Sequence, residues 1–272
     1  MVSIRSRHSL SIRQGCRLLG LAGSTVHYKS RKIRSDTELI ATLQEAVALK
    51  FKWGLGLLTD WMKRSRGVTD NHKRIARVYR ELGLQLHKRK GKRRKMKRER
   101  VLLPAPEKPN DLWAMDFVQD SFATGRKFRV LAVKDLFTHE AVCLWTDRSI
   151  PGERVAEALD WIKARRGALP KHIICDNGSE FTSRAMDQWC YKNGVDLKFI
   201  QPGKPTQNAF IESFNGKFRS ECLNQHWFET LEEAKETIET WRIEYNTERP
   251  NRAIGRRTPE EFAKEQERLL YG

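Results

Sequence analysis

"LWAMDFVQDSFATGRKFRVLAVKDLFTHEAVCLWTD", Leu112 to Asp147, is the stretch that decides the fold. Three runs within it, LWAMDFVQD, KFRVLAVKDLF and EAVCLWTD, are rich in β-branched and aromatic residues, the composition of strands. TGRK between the first two is a turn signal, so the three predict an antiparallel meander. One residue is out of place. Asp116 interrupts the first apolar run, and a carboxylate there costs free energy unless it is paired or binds a metal.

Working towards the C-terminus, PGERVAEALDWIKARRG predicts a helix with Pro at its start and Gly at its end. KHIICDNG predicts a short buried strand ending in a turn, SRAMDQWCYKNG a helix closed by Asn-Gly, and VDLKFI a fifth strand. After the loop QPGKPTQ comes QNAFIESFNGKFRSECL, Gln207 to Leu223, where Phe210, Phe214, Phe218 and Leu223 line one side at helical spacing. The order is β-β-β-α-β-α-β-α. Each strand-helix-strand unit after the third strand must cross over right-handed and add a parallel strand. The expected fold is therefore α/β, a ribonuclease-H-like mixed five-stranded sheet with flanking helices. In that topology the first and fourth strands are neighbours and the last helix crosses beside them.

Three acidic residues then fall together. Asp116 is on the first strand. Asp176 stands where the fourth strand emerges into a turn, and strand C-terminal ends are where sites collect. Glu212 opens the helix after the long loop. Singly, each has an ordinary reading: a strand-edge Asp, an Asp that forms a turn before Asn-Gly, a Glu that favours the helix dipole. Together, on three elements that this topology makes adjacent, they read as a site. A phosphodiester repels a nucleophile, and two Mg²⁺ ions about 4 Å apart neutralise the transition state. Mg²⁺ takes carboxylate oxygens rather than Cys or His, so a carboxylate trio is the expected ligand set.

The N-terminal part is of a different character. Residues 1–100 hold 27 Lys and Arg against 7 Asp and Glu, whereas the remainder holds 25 against 27. All the excess of the +18 net charge therefore sits at the front, which points to a polyanion, nucleic acid before membrane. SIRQGCRLLGLAGSTVHYKS reads as helix, tight turn, helix, with Cys16, Gly20 and Val26 at offsets that suit either a helix-turn-helix or an ordinary helical hairpin. DTELIATLQEAVALK, LGLLTDWMKRSRG and TDNHKRIARVYRELGLQ predict three more helices, the last beginning at a capping Thr or Asp and closing at Gly83. Its polar face carries Lys73, Arg74, Arg77 and Arg80, candidates for DNA contact beside the alternative of a solvated basic face. In HKRKGKRRKMKRER ten of the thirteen residues from Lys88 to Arg100 are basic. Lys88, Arg89, Lys90, Lys92, Arg93, Arg94 and Lys95 are further candidates for phosphate contact. LLPAPEKPND completes a linker. The expected division is a helix-turn-helix-like segment at 1–34, a helical DNA-binding domain at 35–87, a basic and Pro-rich linker at 88–108, and the catalytic core with C-terminal helices at 109–265.

Other classes are disfavoured. No stretch is apolar enough to span or anchor in a membrane, and MVSIRSRHSLSIRQGC lacks the apolar run of a secretory leader. The five cysteines are odd in number and contain no C-x-x-C pair, which speaks against a disulfide scaffold or zinc site and for a reducing cytoplasm.

Thirty-five residues separate Asp176 from Glu212. Asp, Asp, thirty-five residues, Glu resembles the pattern of retroviral integrases and of the integrase-like transposases of bacterial insertion sequences. The words WAMDFVQD, RKFRVLAVKD, CDNGSEF, GKPTQNAFIESFNGKFRSECL and YNTERPNRAIGRRTPEEF resemble the transposases closely, from about Asp111 to Phe262. The basic helical front resembles the segment preceding the core in their second reading frame, OrfB. The resemblance implies a DDE transposase, an Mg-dependent polynucleotidyl transferase in which Mn²⁺ may substitute. Asp116, Asp176 and Glu212 would be its catalytic and metal-binding triad. Arg219, seven residues after Glu212 and on its helical face, matches the family's DNA-contacting basic residue, with Lys217 beside it. The implied partners are DNA, as terminal repeats and as target, a first-frame OrfA protein or a fusion with it, and further copies of the chain on DNA. The implied place is the bacterial cytoplasm, at the nucleoid. The chain lacks the His/His/Cys/Cys zinc domain of retroviral integrases, and it reads RPNRAIG where such transposases often have His after Pro.

Two other readings stand beside this one. The first is a catalytically silent DNA-binding regulator on the same fold, and the second a ribonuclease acting on RNA–DNA hybrids. The intact triad argues against the first and the basic front against the second.

Overall fold

The computed structural model describes residues 11–27, 35–86, 106–200 and 209–271. The basic run and its candidates Lys88, Arg89, Lys90, Lys92, Arg93, Arg94 and Lys95 lie outside the described residues. The chain forms two compact units, which divide between Gln44 and Glu45.

In the first unit, helix α1 (Ile12–Leu19) and the short α2 (Gly23–His27) are joined by a tight turn. Ser11 and Gln14 cap α1 reciprocally, and Gly20 leaves it with φ +60°, a left-handed backbone that favours glycine. Helix α3 (Thr37–Leu49) runs across the division.

The second unit continues with α4 (Leu55–Ser65) and α5 (His72–Glu81). The cap of α5 is Asn71, whose side chain accepts from Lys73 N–H, rather than Thr69 or Asp70. Three capping residues stand in a row, and the last of them is the one that the helix starts from. Gly83 ends the helical turn at φ +66°, where the sequence predicts the stop.

The core is a sheet of β1 (Leu112–Ser121), β2 (Lys127–Asp135), β3 (Ala141–Asp147), β4 (His172–Cys175) and β5 (Asp196–Phe199), in the order β3-β2-β1-β4-β5. The first three form the antiparallel meander, and β4 and β5 add in parallel. The five-stranded mixed sheet is the one the sequence predicts.

Alternation along the strands sends side chains to two cores. Trp113, Met115, Leu131 and Val133 meet α6 (Gly152–Arg166) and α7 (Arg184–Asn193) through Val155, Leu159, Ile162, Met186 and Trp189. Ala114, Val118, Phe128, Val130 and Ala132 meet α8 (Ala209–Glu221) and α9 (Leu231–Thr247) through Ile211, Phe214, Phe218, Ala234 and Ile238. The buried stripe of α8 is thus Ile211, Phe214 and Phe218, while Phe210 is 56% exposed. Helix α10 (Pro259–Tyr271) ends the chain. Asp60 of α4 accepts from Arg256 at 3.0 Å, and Arg64 pairs with Glu261, so the helical segment is tied to the C-terminal one within this unit. No helix among the described residues is long and apolar enough to cross a membrane.

Candidate active site

Asp116 lies between Ala114 and Val118 on β1, so alternation turns its side chain to the α8 face of the sheet. It is half-buried where its two same-face neighbours are fully buried. Phe117 N–H donates to its Oδ1 at 2.8 Å, and the Asn215 amide on α8 donates to its Oδ2 at 2.8 Å.

Asp176 follows β4. The parallel ladder pairs Ala114 with Ile174, and Asp116 and Asp176 are each two residues beyond that pair. Adjacent strands in register therefore carry both aspartates past the end of the β4 ladder. Asp176 is exposed, and its Oδ1 accepts from Gly178 N–H at 3.0 Å. A Cβ on Gly178 would stand 3.0 Å from Asp176 Oδ1 and 3.2 Å from Glu180 Oε2, so glycine is what lets both carboxylates crowd this turn. Glu212 is exposed in the first turn of α8, one turn before Asn215.

The three carboxylates act on one another. The Asp116 carboxyl is pushed up to about 6, first by burial, with Asp176 and Glu212 both adding repulsion against the Phe117 and Asn215 hydrogen bonds. Among the described residues, no three His, Cys, Asp or Glu side chains are close enough to hold one ion together. The donor set nevertheless suits a hard divalent cation in kind. It offers only carboxylate oxygens, and a cation would relieve the repulsion that raises Asp116.

The basic candidates divide. Arg219 is exposed and donates to the Gln119 carbonyl at 2.9 Å, which holds it along β1. Lys217 turns inwards instead. It is half-buried, and burial and then Arg249 lower its pKa. On α5, Lys73, Arg77 and Arg80 are exposed and Arg74 is half-buried. Arg74 pairs with Asp70, Arg77 with Glu81 at 2.9 Å, and Arg80 donates to the Ala76 carbonyl at 3.1 Å.

Two further groups belong to this site, and neither is marked by a signal of its own in the sequence. Asn215 is one helical turn beyond Glu212, a spacing that gives it the same face but does not name its acceptor on β1. Glu180, within CDNGSEF, pairs with Arg129 of β2 behind the Asp176 turn.

The integrase core domain family matches residues 106–205, and a second integrase core domain model matches residues 193–259. The chain is 48% identical over 263 residues to the 31.7 kDa protein of insertion element IS407 from Burkholderia multivorans, covering 97% of this chain and 94% of that one. It is 23% identical over 254 residues to the transposase for insertion sequence element IS904 from Lactococcus lactis, covering 88% and 99%. Among solved structures, the simian T-cell lymphotropic virus intasome aligns with TM-score 0.50 at 16% identity, covering 80% of this chain and 73% of that one, a likeness of fold.

Proposed function

Because the chain belongs to the insertion-sequence transposases of the integrase core family, we propose that Asp116, Asp176 and Glu212 are the catalytic carboxylates with which it cuts and joins DNA strands. The observation that carries this reading is the placement of three carboxylates on three adjoining elements. Two stand at one level of adjacent parallel strands, and the third lies one turn from the Asn215 that grips the first. The family's activity is polynucleotidyl transfer.

The carboxylates would hold divalent cations, Mg²⁺ with Mn²⁺ as a substitute. Such a bound cation supplies charge neutralisation at the phosphate and activation of the attacking hydroxyl. The protein's part is positioning. β1 and Asn215 fix Asp116, the Gly178 turn fixes Asp176, and the buried face of α8 fixes the helix that bears Glu212. Arg219 would steady a DNA strand along β1. The α5 cations and the basic run near residue 90 would contribute charge to the DNA-binding surface. The partners proposed are the element's terminal repeats, target DNA, further copies of the chain and a first-frame OrfA product, all in the bacterial cytoplasm. The comparisons lend no support to the silent regulator.

The test is Asp176→Asn, assayed with Mg²⁺ and a labelled terminal-repeat duplex. Strand transfer should disappear while duplex affinity stays within about twofold, because one exposed carboxylate contributes little to a salt-dependent interface. Joining at the unsubstituted rate would sink the assignment.

A further inference from the structure

Behind β1, on the face opposite to Asp116, lies a stack of four side chains. Arg129 of β2 places its guanidinium 4.0 Å from the centroid of the Phe117 ring. Phe117 in turn stacks on Phe181, with centroids 5.0 Å apart and planes inclined by 18°. Arg129 Nη1 donates to Glu180 Oε1, which closes the loop of contacts. Phe117 directly follows Asp116, and Glu180 is the fourth residue after Asp176.

From this juxtaposition we propose that Arg129 and Glu180 are positioning residues. Their ion pair, seated on the Phe117–Phe181 stack, holds the Asp176 turn against the strand that carries Asp116. The claim rests on the catalytic reading of those aspartates.

The turn is ordered internally but needs an outside anchor. Phe181 and Thr182 N–H groups both donate to the Gly178 carbonyl at 3.0 Å, and Ser183 Oγ donates to the Glu180 carbonyl at 2.9 Å. None of these bonds fixes the turn relative to β1. Arg129 and Phe181 do, and Phe181 is fully buried. An exposed ion pair would add little. This one is mostly shielded, with side-chain exposures of 23% and 19%, and its guanidinium carbon sits over an aromatic ring. Arg129 Nε is buried without a partner. The guanidinium thus forgoes a hydrogen bond to remain on Phe117, as a positioning role requires and a merely solvated charge would not.

The experiment compares Arg129→Gln, Glu180→Gln and the double variant in the full chain. Amide hydrogen exchange across residues 176–183 is read without metal, and strand transfer is read with Mg²⁺. The Phe181 and Thr182 amides should exchange about tenfold faster in each single variant and to the same extent in the double, because the two groups act as one unit. Turnover should fall about tenfold, with KM for the DNA within about twofold. Unchanged exchange, additive effects in the double variant, or a raised KM at unchanged turnover would each overturn the proposal. Asp176→Asn is run alongside. If it joins DNA at the unsubstituted rate, the catalytic reading falls, whereas the exchange result tests the clamp by itself.

Discussion

Asn215 Nδ2 donates to Asp116 Oδ2 at 2.8 Å, joining two residues 99 positions apart. The other amide atom, Asn215 Oδ1, is buried without a partner. A buried acceptor left open costs free energy, so the amide is held here by what its donor does. It keeps the Asp116 carboxylate facing α8 and takes up part of its negative charge, against the repulsion of Asp176 and Glu212.

Asn215→Ala should therefore lower strand transfer by about 10- to 100-fold, the equivalent of one hydrogen bond to a charged group. Duplex affinity should change by less than about twofold. Asn215→Asp should be worse, because it sets a fourth carboxylate against Asp116. Steady-state rates and fluorescence anisotropy decide it. Equal losses in rate and affinity would assign Asn215 to the DNA surface instead.

Helix α8 supplies a second prediction. Phe214 is fully buried against Trp241 and Tyr245, with ring centroids at 5.9 and 5.1 Å. Phe214→Ala should cost about 3–5 kcal/mol of stability by opening a cavity. Phe210→Ala should cost no more than about 0.5 kcal/mol, since that ring is exposed. Urea unfolding of the two variants separates them, and comparable losses would refute the placement of the helix.

This pair also marks what could be read from the sequence. Phe210 and Ile211 both stand at helical spacing from Phe214 and Phe218, so periodicity alone admits either. Packing against β1 chooses Ile211, and that choice is made by residues a hundred positions upstream. The strands were legible, because their runs are rich in β-branched and aromatic residues, and so was Asp116, a carboxylate in an apolar run. Gly83, Gly167 and Gly194 were legible as helix ends, and each adopts positive φ. Asn215 and Arg129 were not legible. Their partners are 99 and 51 residues away, and nothing local in either residue announces the acceptor.

Gly152 is a third case of a distant constraint. It is the first residue of α6, where a Cβ would fall 1.9 Å from Ser183 Oγ and 2.9 Å from the Glu180 carbonyl. Gly152→Ala cannot be accommodated by a side-chain rotation, because the carbonyl is backbone. The segment from Glu180 to Ser183 must shift, and with it the turn that bears Asp176. We expect a loss of about 1–3 kcal/mol in stability, as for other overpacked sites, and a fall in strand transfer larger than that of Gly216→Ala, where nothing stands within 4 Å. Thermal melts and joining assays on both variants test this. Full activity of Gly152→Ala would show that α6 and the turn are not in firm contact.

The last prediction concerns pH. Lys134 lies on β2 beneath α8, 3% exposed, its ammonium 5.8 Å from the Phe214 centroid and 3.3 Å from His139 Nδ1. Burial, and then the charge of Lys217, bring it down from 10.5 to about 7. Burial, then Lys134 and Lys217, bring His139 down from 6.5 to about 4. In the unfolded chain Lys134 keeps its proton up to its ordinary value, whereas the fold sheds it near neutrality. Between those two values the unfolded state binds more protons, so stability rises with pH across about 7 to 10.5, and the penalty is full below the lower value. His139 acts in the same direction at lower pH. Its unfolded ring takes a proton that the folded ring refuses, so stability falls as pH drops from 6.5 towards about 4. Lys134→Met should therefore be more stable than the unsubstituted protein at neutral pH, on the order of a few kcal/mol, with the gap narrowing by about pH 9.5. Urea midpoints at the two pH values measure it. A gap that stays constant, or a variant less stable at neutral pH, would mean that Lys134 is charged and well paired in the fold.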